Sequence, residues 1–282
     1  MNDSPADSLG LSSSALPLLR DLIHDRVGVF FENGRYDSLR DRLAPLVVDR
    51  GFESFLYYYY LLKYDDGAAE DWNRVMDAIS VPETYFWREI DQVRGIVIRA
   101  VPELVKANPA GTLRIWSAPC ASGEEPLTIA MMLAEEGWFD RIPIEIHGSD
   151  ASPAAIERAK AGRYRERSFR SLPPALRDKY FRQEEGTWTV DPALQRRITS
   201  WSVVNLLDET AVAARAAVPI LFCRNVFIYF SDAGVRRVVE QFARAMPSPA
   251  YLCVGASESL LRVTSRFELE ELGGAFVYVK RG

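Results

Sequence analysis

The stretch Arg114-Ile-Trp-Ser-Ala-Pro-Cys-Ala-Ser-Gly-Glu-Glu-Pro-Leu-Thr-Ile-Ala-Met-Met-Leu133 constrains the fold of this chain more than any other. It begins as a short apolar strand, turns through small residues and opens a helix at Gly123. Pro119, Ala121, Ser122 and Gly123 let a ligand approach the backbone, where the free N–H groups and the positive end of the helix face it. Glu124 and Glu125 occupy the first helical turn, where carboxylates are locally favoured. A second strand, Ile144-Glu-Ile-His-Gly-Ser-Asp150, ends in an acid. Strand, small-residue turn, helix, strand and terminal acid together form the half-site that holds an adenosine, with the acid accepting from ribose hydroxyls. A βαβ unit of purely structural purpose has the same local pattern.

The turn holds one glycine rather than the three of a dinucleotide fingerprint, so a pyrophosphate fits poorly. A phosphate-free nucleoside such as S-adenosylmethionine fits better, because acidic residues repel nothing on a sulfonium and an ammonium. A net charge of −5 argues against a broad nucleic-acid footprint. Cys120, Cys223 and Cys253 lie in or beside apolar runs without metal-ligand spacing, and His24 and His147 leave no room for a histidine metal site. No metal is expected. With no signal peptide and no long apolar run, a cytoplasmic protein without membrane insertion is expected.

A mobile tail is expected over residues 1–14 and a helical domain over 15–78. Leu16, Leu19, Leu22 and Ile23 form one apolar stripe, and Leu39, Leu43, Leu46 and Val47 form another behind an Asp37 cap. Residues 52–62 read as an aromatic-rich third helix in which Tyr57–Tyr60 pack around a whole turn. Residues 79–110 make a linker and a junction helix, and Tyr85, Phe86 and Trp87, being consecutive, cannot share one helical face. From 111 to 282, strands alternate with helices: Leu113–Ala118, Ile144–Asp150, Trp201–Val204, Val218–Cys223 and Tyr251–Gly255. A closing hairpin lies around Gly273-Gly274, and a small antiparallel insertion, at about 165–200, contains a hairpin turning at Gly186. The fold class is α/β: a doubly wound, mostly parallel sheet with an N-terminal all-helical domain and that insertion. Ligands in such sheets bind at the strand carboxyl ends, where Asp150, Asn205, Arg224 and Asn225 fall beside the turn at 119–123.

With these residues in hand, the chain resembles the CheR family of chemoreceptor glutamate O-methyltransferases, which use S-adenosylmethionine. The resemblance runs from about Leu16 to Lys280. It rests on Thr84-Tyr-Phe-Trp-Arg88, Trp116-Ser-Ala-Pro-Cys-Ala-Ser-Gly-Glu-Glu-Pro126, Gly148-Ser-Asp150, Val204-Asn-Leu206 and Phe222-Cys-Arg-Asn-Val-Phe-Ile-Tyr-Phe230, in that order. It implies a class I methyltransferase sheet and cofactor contacts from Thr84, Arg88, Ala118, Glu125, Asp150, Asn205, Leu206, Arg224 and Asn225. Within that set Glu125 holds the methionyl ammonium, Asp150 the ribose, Asn205 and Leu206 the adenine, and Asn225 the methionyl portion. Arg88 and Tyr229 stand beside the transferred methyl and the incoming glutamate as the catalytic pair. The product is S-adenosylhomocysteine.

Three departures from the family pattern carry expectations. Pro82 stands where a polar residue, often Asn, is usual. Residues 1–75 hold more acid than base, so Arg40, Arg42 and Arg50 are the local basic face left to bind an acidic receptor helix. The loop Gln183–Trp188 is short, which argues against docking through a C-terminal pentapeptide tether. The implied partners are cytoplasmic helices of a methyl-accepting chemoreceptor, not nucleic acid, and a monomer is expected. The competing readings are a non-catalytic module sensing S-adenosylmethionine or S-adenosylhomocysteine, and a methyltransferase acting on another substrate.

Overall fold

The computed structural model describes residues 13–32, 36–81 and 83–281, so most of the expected tail, Gly34 and Pro82 lie outside the described residues. It divides into two compact units. One comprises the chain up to Val81 with Tyr229–Gly234; the other comprises Pro82–Ile228 with Val235–Gly282.

The first unit packs four helices, α1 (Leu16–Val27), α2 (Tyr36–Asp49), α3 (Phe55–Tyr64) and α4 (Ala69–Ile79). Their apolar stripes meet in a core of Leu19, Ile23, Leu39, Leu43, Val47, Phe55, Tyr58 and Val75. The aromatic run divides by helical phase: Tyr58 and Tyr59 are buried while Tyr57 and Tyr60 face solvent. Asp37 lies within the first turn of α2 rather than ahead of it. Tyr229–Gly234 closes this unit from far along the chain. Phe30 N–H donates to Tyr229 O at 2.7 Å, Val29 bridges Phe230, and His24 Nε2 meets Ser231 Oγ at 2.9 Å. Gly28, at φ 81°, is obligatory here because a Cβ would come within 2.6 Å of the Phe230 ring.

The second unit begins with α5 (Ile90–Gly95), a π-helical segment (Ile96–Ala100) and α6 (Val101–Ala107). A βαβ unit follows: β1 (Leu113–Ser117), α7 (Glu124–Glu135) and β2 (Ile144–Asp150), then α8 (Pro153–Ala161). The insertion is a three-stranded antiparallel sheet of β3 (Arg163–Tyr164), β4 (Phe181–Glu184) and β5 (Thr187–Val190), in the order β3-β5-β4. It carries α9 (Pro174–Tyr180) and is followed by α10 (Pro192–Gln195). The main fold resumes with β6 (Ile198–Val203), α11 (Glu209–Ala216), β7 (Ile220–Phe222), α12 (Asp232–Ala245) and β8 (Ala250–Cys253). It closes with the hairpin β9 (Glu268–Leu272) and β10 (Ala275–Lys280).

The main sheet runs β6-β2-β1-β7-β8-β10-β9, parallel from β6 to β8 and antiparallel at β10 and β9. Its central strands are buried on both faces, which is why they read as unbroken apolar runs. Ile115 joins the cluster holding Leu127 of α7 and Val97, while its neighbour Trp116 stacks edge-on against Phe242 of α12 at 5.9 Å. The chain crosses from β1 outward to β2 and β6, then returns to place β7 on the other side of β1. That reversal opens a crevice between the carboxyl ends of β1 and β7, where ligands of such sheets bind. No described helix is long and apolar enough to cross a membrane.

Candidate active site

The turn after β1 is shaped by two left-handed residues, Ala121 at φ 46° and Gly123 at φ 95°. Gly123 has no room for a side chain, since a Cβ would meet Trp201 at 2.9 Å and Ala159 at 3.1 Å. Asp150, at the tip of β2, fastens this turn to the next helix. Its Oδ2 accepts from Ala121 N–H and its Oδ1 from Ser152 N–H, both at 2.9 Å. Burial raises the Asp150 pKa above the ordinary value, and the two backbone donors pull it back. Glu124 turns inward, accepting from Ser122 Oγ at 2.8 Å and Ser168 Oγ at 3.1 Å, and burial raises its pKa too.

Glu125 faces the β1/β7 crevice. Ser117 Oγ donates to it at 2.7 Å and Arg224 Nη1 at 3.2 Å, leaving 17 % of its side chain exposed. Burial raises its pKa, opposed by Arg224. Arg224, whose side chain is 2 % exposed, also donates through Nη2 to Arg88 O at 2.9 Å and Glu89 Oε2 at 3.1 Å. Burial works against the Glu89 charge, yet Arg224 and Asn225 hold its pKa below the usual value. Glu89 Oε1 accepts from Asn225 Nδ2 at 3.2 Å and Oε2 from Ala256 N–H at 3.1 Å. One guanidinium, just past the end of β7, thus joins the first turn of α7 and the linker through two carboxylates.

Beyond Arg224, Glu258 organises the loop. Its Oε2 accepts from Asn225 N–H at 2.8 Å and Gly255 N–H at 2.7 Å, and its Oε1 accepts from Phe227 N–H at 2.7 Å and Ile228 N–H at 3.3 Å. Asn225 itself is held at φ 59°. Four donors on one carboxylate fix a backbone path that would otherwise expose four unpaired N–H groups.

The linker from Glu83 to Glu89 is irregular because its three aromatics point to different places. Phe86 is fully buried against Tyr164, Phe169 and Phe181, with its N–H donating to Ser168 O at 2.9 Å. Trp87 at φ 70° and Glu89 at φ 47° flank Arg88, two strained residues of the kind that cluster where a side chain must be aimed. Arg88 Nη1 donates to Glu83 O at 2.7 Å, its guanidinium lies 5.7 Å from the Tyr85 ring centre, and its Nε is 3.9 Å from Glu89 Oε1.

The remaining sequence-derived candidates are placed as follows. Ala118 is buried and its N–H donates to Phe222 O at 2.8 Å, tying β1 to β7 past its last strand residue. Asn205 follows β6; its Oδ1 accepts from Leu207 N–H at 3.0 Å, and Leu206 is buried beside it. Thr84 is partly buried. Tyr229 is the first residue of the segment built into the helical unit. Arg40 pairs with Asp37 and Asp41, both at 3.6 Å, while Arg42 donates to Ala78 O at 2.9 Å and Ser80 O at 3.4 Å. Arg50 grips the buried Asp71 at 2.5 and 2.7 Å. Sequence reasoning passed over Glu89 and Glu258. The signal for Glu89 was an acid directly after Arg88, and for Glu258 an acid in the polar stretch following Gly255.

The side chains offered at this end of the sheet are carboxylates, Glu125 in the first turn of α7 and Asp150 at the tip of β2, and the deep cation Arg224 is already committed to acids. Those carboxylate acceptors suit a ligand bearing an ammonium and ribose hydroxyls and repel a phosphate. S-adenosylmethionine therefore fits the residues present.

Comparison with known proteins agrees. The family profile "CheR methyltransferase, SAM binding domain" matches residues 82–275, and "CheR methyltransferase, all-alpha domain" matches residues 14–80. Chemotaxis protein methyltransferase 2 of Vibrio cholerae is 32% identical over 93% of this chain and 91% of its own length. Chemotaxis protein methyltransferase 1 of Pseudomonas aeruginosa is 28% identical over 96% of this chain and 99% of its own. The chemotaxis protein methyltransferase of Escherichia coli is 26% identical over 93% and 90%.

Proposed function

We propose, for a chain that belongs to the CheR methyltransferase family and is an S-adenosylmethionine-dependent methyltransferase, that its substrate is the side-chain carboxylate of glutamates on chemoreceptor cytoplasmic helices. When bound, S-adenosylmethionine supplies a methyl on a positive sulfur. Transfer to a carboxylate would exchange that C–S bond for a C–O bond, with no proton to be moved. The glutamate is already an anion at neutral pH, so the site needs no general base.

The protein's work is then alignment and exclusion of water, which can supply roughly 7–11 kcal/mol of such a barrier. Glu125 receives the methionyl ammonium, Asp150 the ribose hydroxyls, and Asn205 and Leu206 flank the adenine. Asn225, held by Glu89 and Glu258, borders the methionyl portion, with Thr84 and Ala118 completing the wall. Arg224 serves through Glu125 and Glu89, whose carboxylates it orients. Arg88 pairs with the incoming glutamate and orients it, and Tyr229 donates a hydrogen bond to it.

The observation that carries the glutamate reading is the setting of Arg88. Its guanidinium is anchored on Glu83 O and over Tyr85, between two left-handed residues, yet keeps 26 % of its side chain exposed. A cation so aimed suits an anionic acceptor and would disfavour an amine acceptor, whose nitrogen becomes positive as it takes the methyl. The turn between β4 and β5 is two residues, Glu185 and Gly186, both at positive φ, which supports docking without a C-terminal tether. Steady-state kinetics on a receptor cytoplasmic fragment test the reading. Arg88→Ala should cut kcat by about 10² or more while changing S-adenosylhomocysteine affinity far less. Full activity in that variant removes Arg88 from the chemistry.

A further inference from the structure

The chain as a whole is acidic, but its insertion is not. Between Arg163 and Ser200 there are nine Lys and Arg residues against five Asp and Glu. The excess is concentrated on one turn. Arg165, Arg167 and Arg170 all lie on the single 3₁₀ turn Glu166–Phe169 and its two flanking residues, and all three are exposed.

This turn is rigidly tied to the site. Ser168 O accepts from Phe86 N–H at 2.9 Å, two residues before Arg88, and Ser168 Oγ donates to Glu124 at the head of α7. Phe169 packs on Phe86 at 5.1 Å. Arg170 lies 3.6 Å from the centre of the Tyr85 ring, the same ring that Arg88 approaches at 5.7 Å, and both arginines bond to Glu83. The guanidinium of Arg88 therefore continues into a cationic edge rather than standing alone.

The acids along this edge are already engaged. Glu83 is taken by Arg170; Glu166 receives Arg177 at 3.3 Å and Trp188 Nε1–H at 2.8 Å. The side chains of Arg165 and Arg167 have no ion-pair or hydrogen-bond partner among the described residues. The helical unit shows the reverse, with Arg40, Arg42 and Arg50 each committed inside it. Like charges held on one rigid turn, two of them without a salt bridge among the described residues, repel one another and favour an anionic partner.

We propose that the Arg165–Arg167–Arg170 edge docks an acidic polypeptide segment, reading carboxylates that flank the glutamate to be methylated. The proposal rests on the glutamate reading of the site. The partner is polypeptide rather than nucleic acid because Arg88, into which the edge runs, is placed for a side-chain carboxylate. The remainder of the molecule is also acidic, which disfavours a polyanion tracking across it.

Two labelled helical peptides decide it, each with one acceptor glutamate and no C-terminal tail, flanked either by glutamates or by glutamines. Binding is followed by anisotropy, and transfer with S-adenosylmethionine is followed alongside. The wild type should prefer the acid-flanked peptide, and the preference should weaken with salt. Arg165→Glu/Arg167→Glu should abolish it, raising KM for that peptide about fivefold or more with kcat and S-adenosylhomocysteine affinity unchanged. Arg165→Gln/Arg167→Gln gives the milder step if charge reversal impairs folding, and the cofactor titration reports the fold of each. A preference that survives in the variants overturns the proposal. So does a labelled oligonucleotide that binds the same edge more tightly than the peptide. Should neither peptide be methylated by the wild type, the glutamate reading fails; the anisotropy comparison still decides the docking edge on its own.

Discussion

At the scale of single residues the site is governed by one buried cation. Arg224 neutralises Glu125 and Glu89 at once, and desolvation of all three is tolerable only while the pairing is complete. Arg224→Met leaves two partly buried carboxylates facing each other. It should lower the unfolding free energy by about 3–5 kcal/mol in urea titration and weaken S-adenosylhomocysteine binding together with it. The same carboxylates make binding depend on pH. Burial raises the Glu125 pKa, so the unliganded protein keeps that proton at pH values where an ordinary carboxylate, near 4.3, has lost it. With the ligand's ammonium seated at Glu125 as proposed, the anion would be favoured and binding would expel the proton. Affinity for S-adenosylhomocysteine should therefore rise as pH increases above the ordinary carboxylate range and then level off. Calorimetry in buffers of different ionisation heat should show proton release at the acid end only. Affinity that falls with rising pH would contradict the role given to Glu125.

At the scale of elements, the strand–turn–helix at 113–135 was legible because its signals are local: an apolar run, a left-handed glycine and acids in the first helical turn. The hairpin at Gly186 and the closing hairpin at Gly273-Gly274 were legible for the same reason. The loop after β7 was not. Its path is set by Glu258, which is 31 residues from Phe227 and reaches it only because β7 and β8 are neighbours in the sheet. No periodicity or spacing announces a carboxylate whose partners are backbone N–H groups of another loop. Glu89 is hidden likewise, since its partners Arg224, Asn225 and Ala256 are all remote in sequence. Glu258→Gln tests the element directly. An amide keeps one acceptor and turns its NH2 toward two of the four N–H groups, so the loop should lose about 1–3 kcal/mol. Faster hydrogen exchange at residues 225–228 with protection of β1 unchanged is the expected readout.

For the whole molecule, the doubly wound sheet, the all-helical N-terminal part and the antiparallel insertion follow from the alternation of elements along the sequence. What the sequence could not supply is which charges remain free. Arg40, Arg42 and Arg50 look like an exposed basic face on paper, and only folding reveals each with a partner. The reverse holds for Arg165 and Arg167, which lie in a charged, irregular stretch without a legible pattern. The recruitment of Tyr229–Gly234 into the helical unit is also a property of the folded chain alone, because Gly28 and Phe230 meet across about two hundred residues of sequence. The central claim is that this chemistry ends in a glutamyl methyl ester. Incubating the protein with methyl-labelled S-adenosylmethionine and a chemoreceptor cytoplasmic fragment, then treating the labelled receptor with alkali, tests it most directly. The account predicts label on the receptor that mild base releases as methanol and that mass spectrometry maps to glutamate. Label that withstands base, or cofactor binding with no transfer to the receptor, would contradict it.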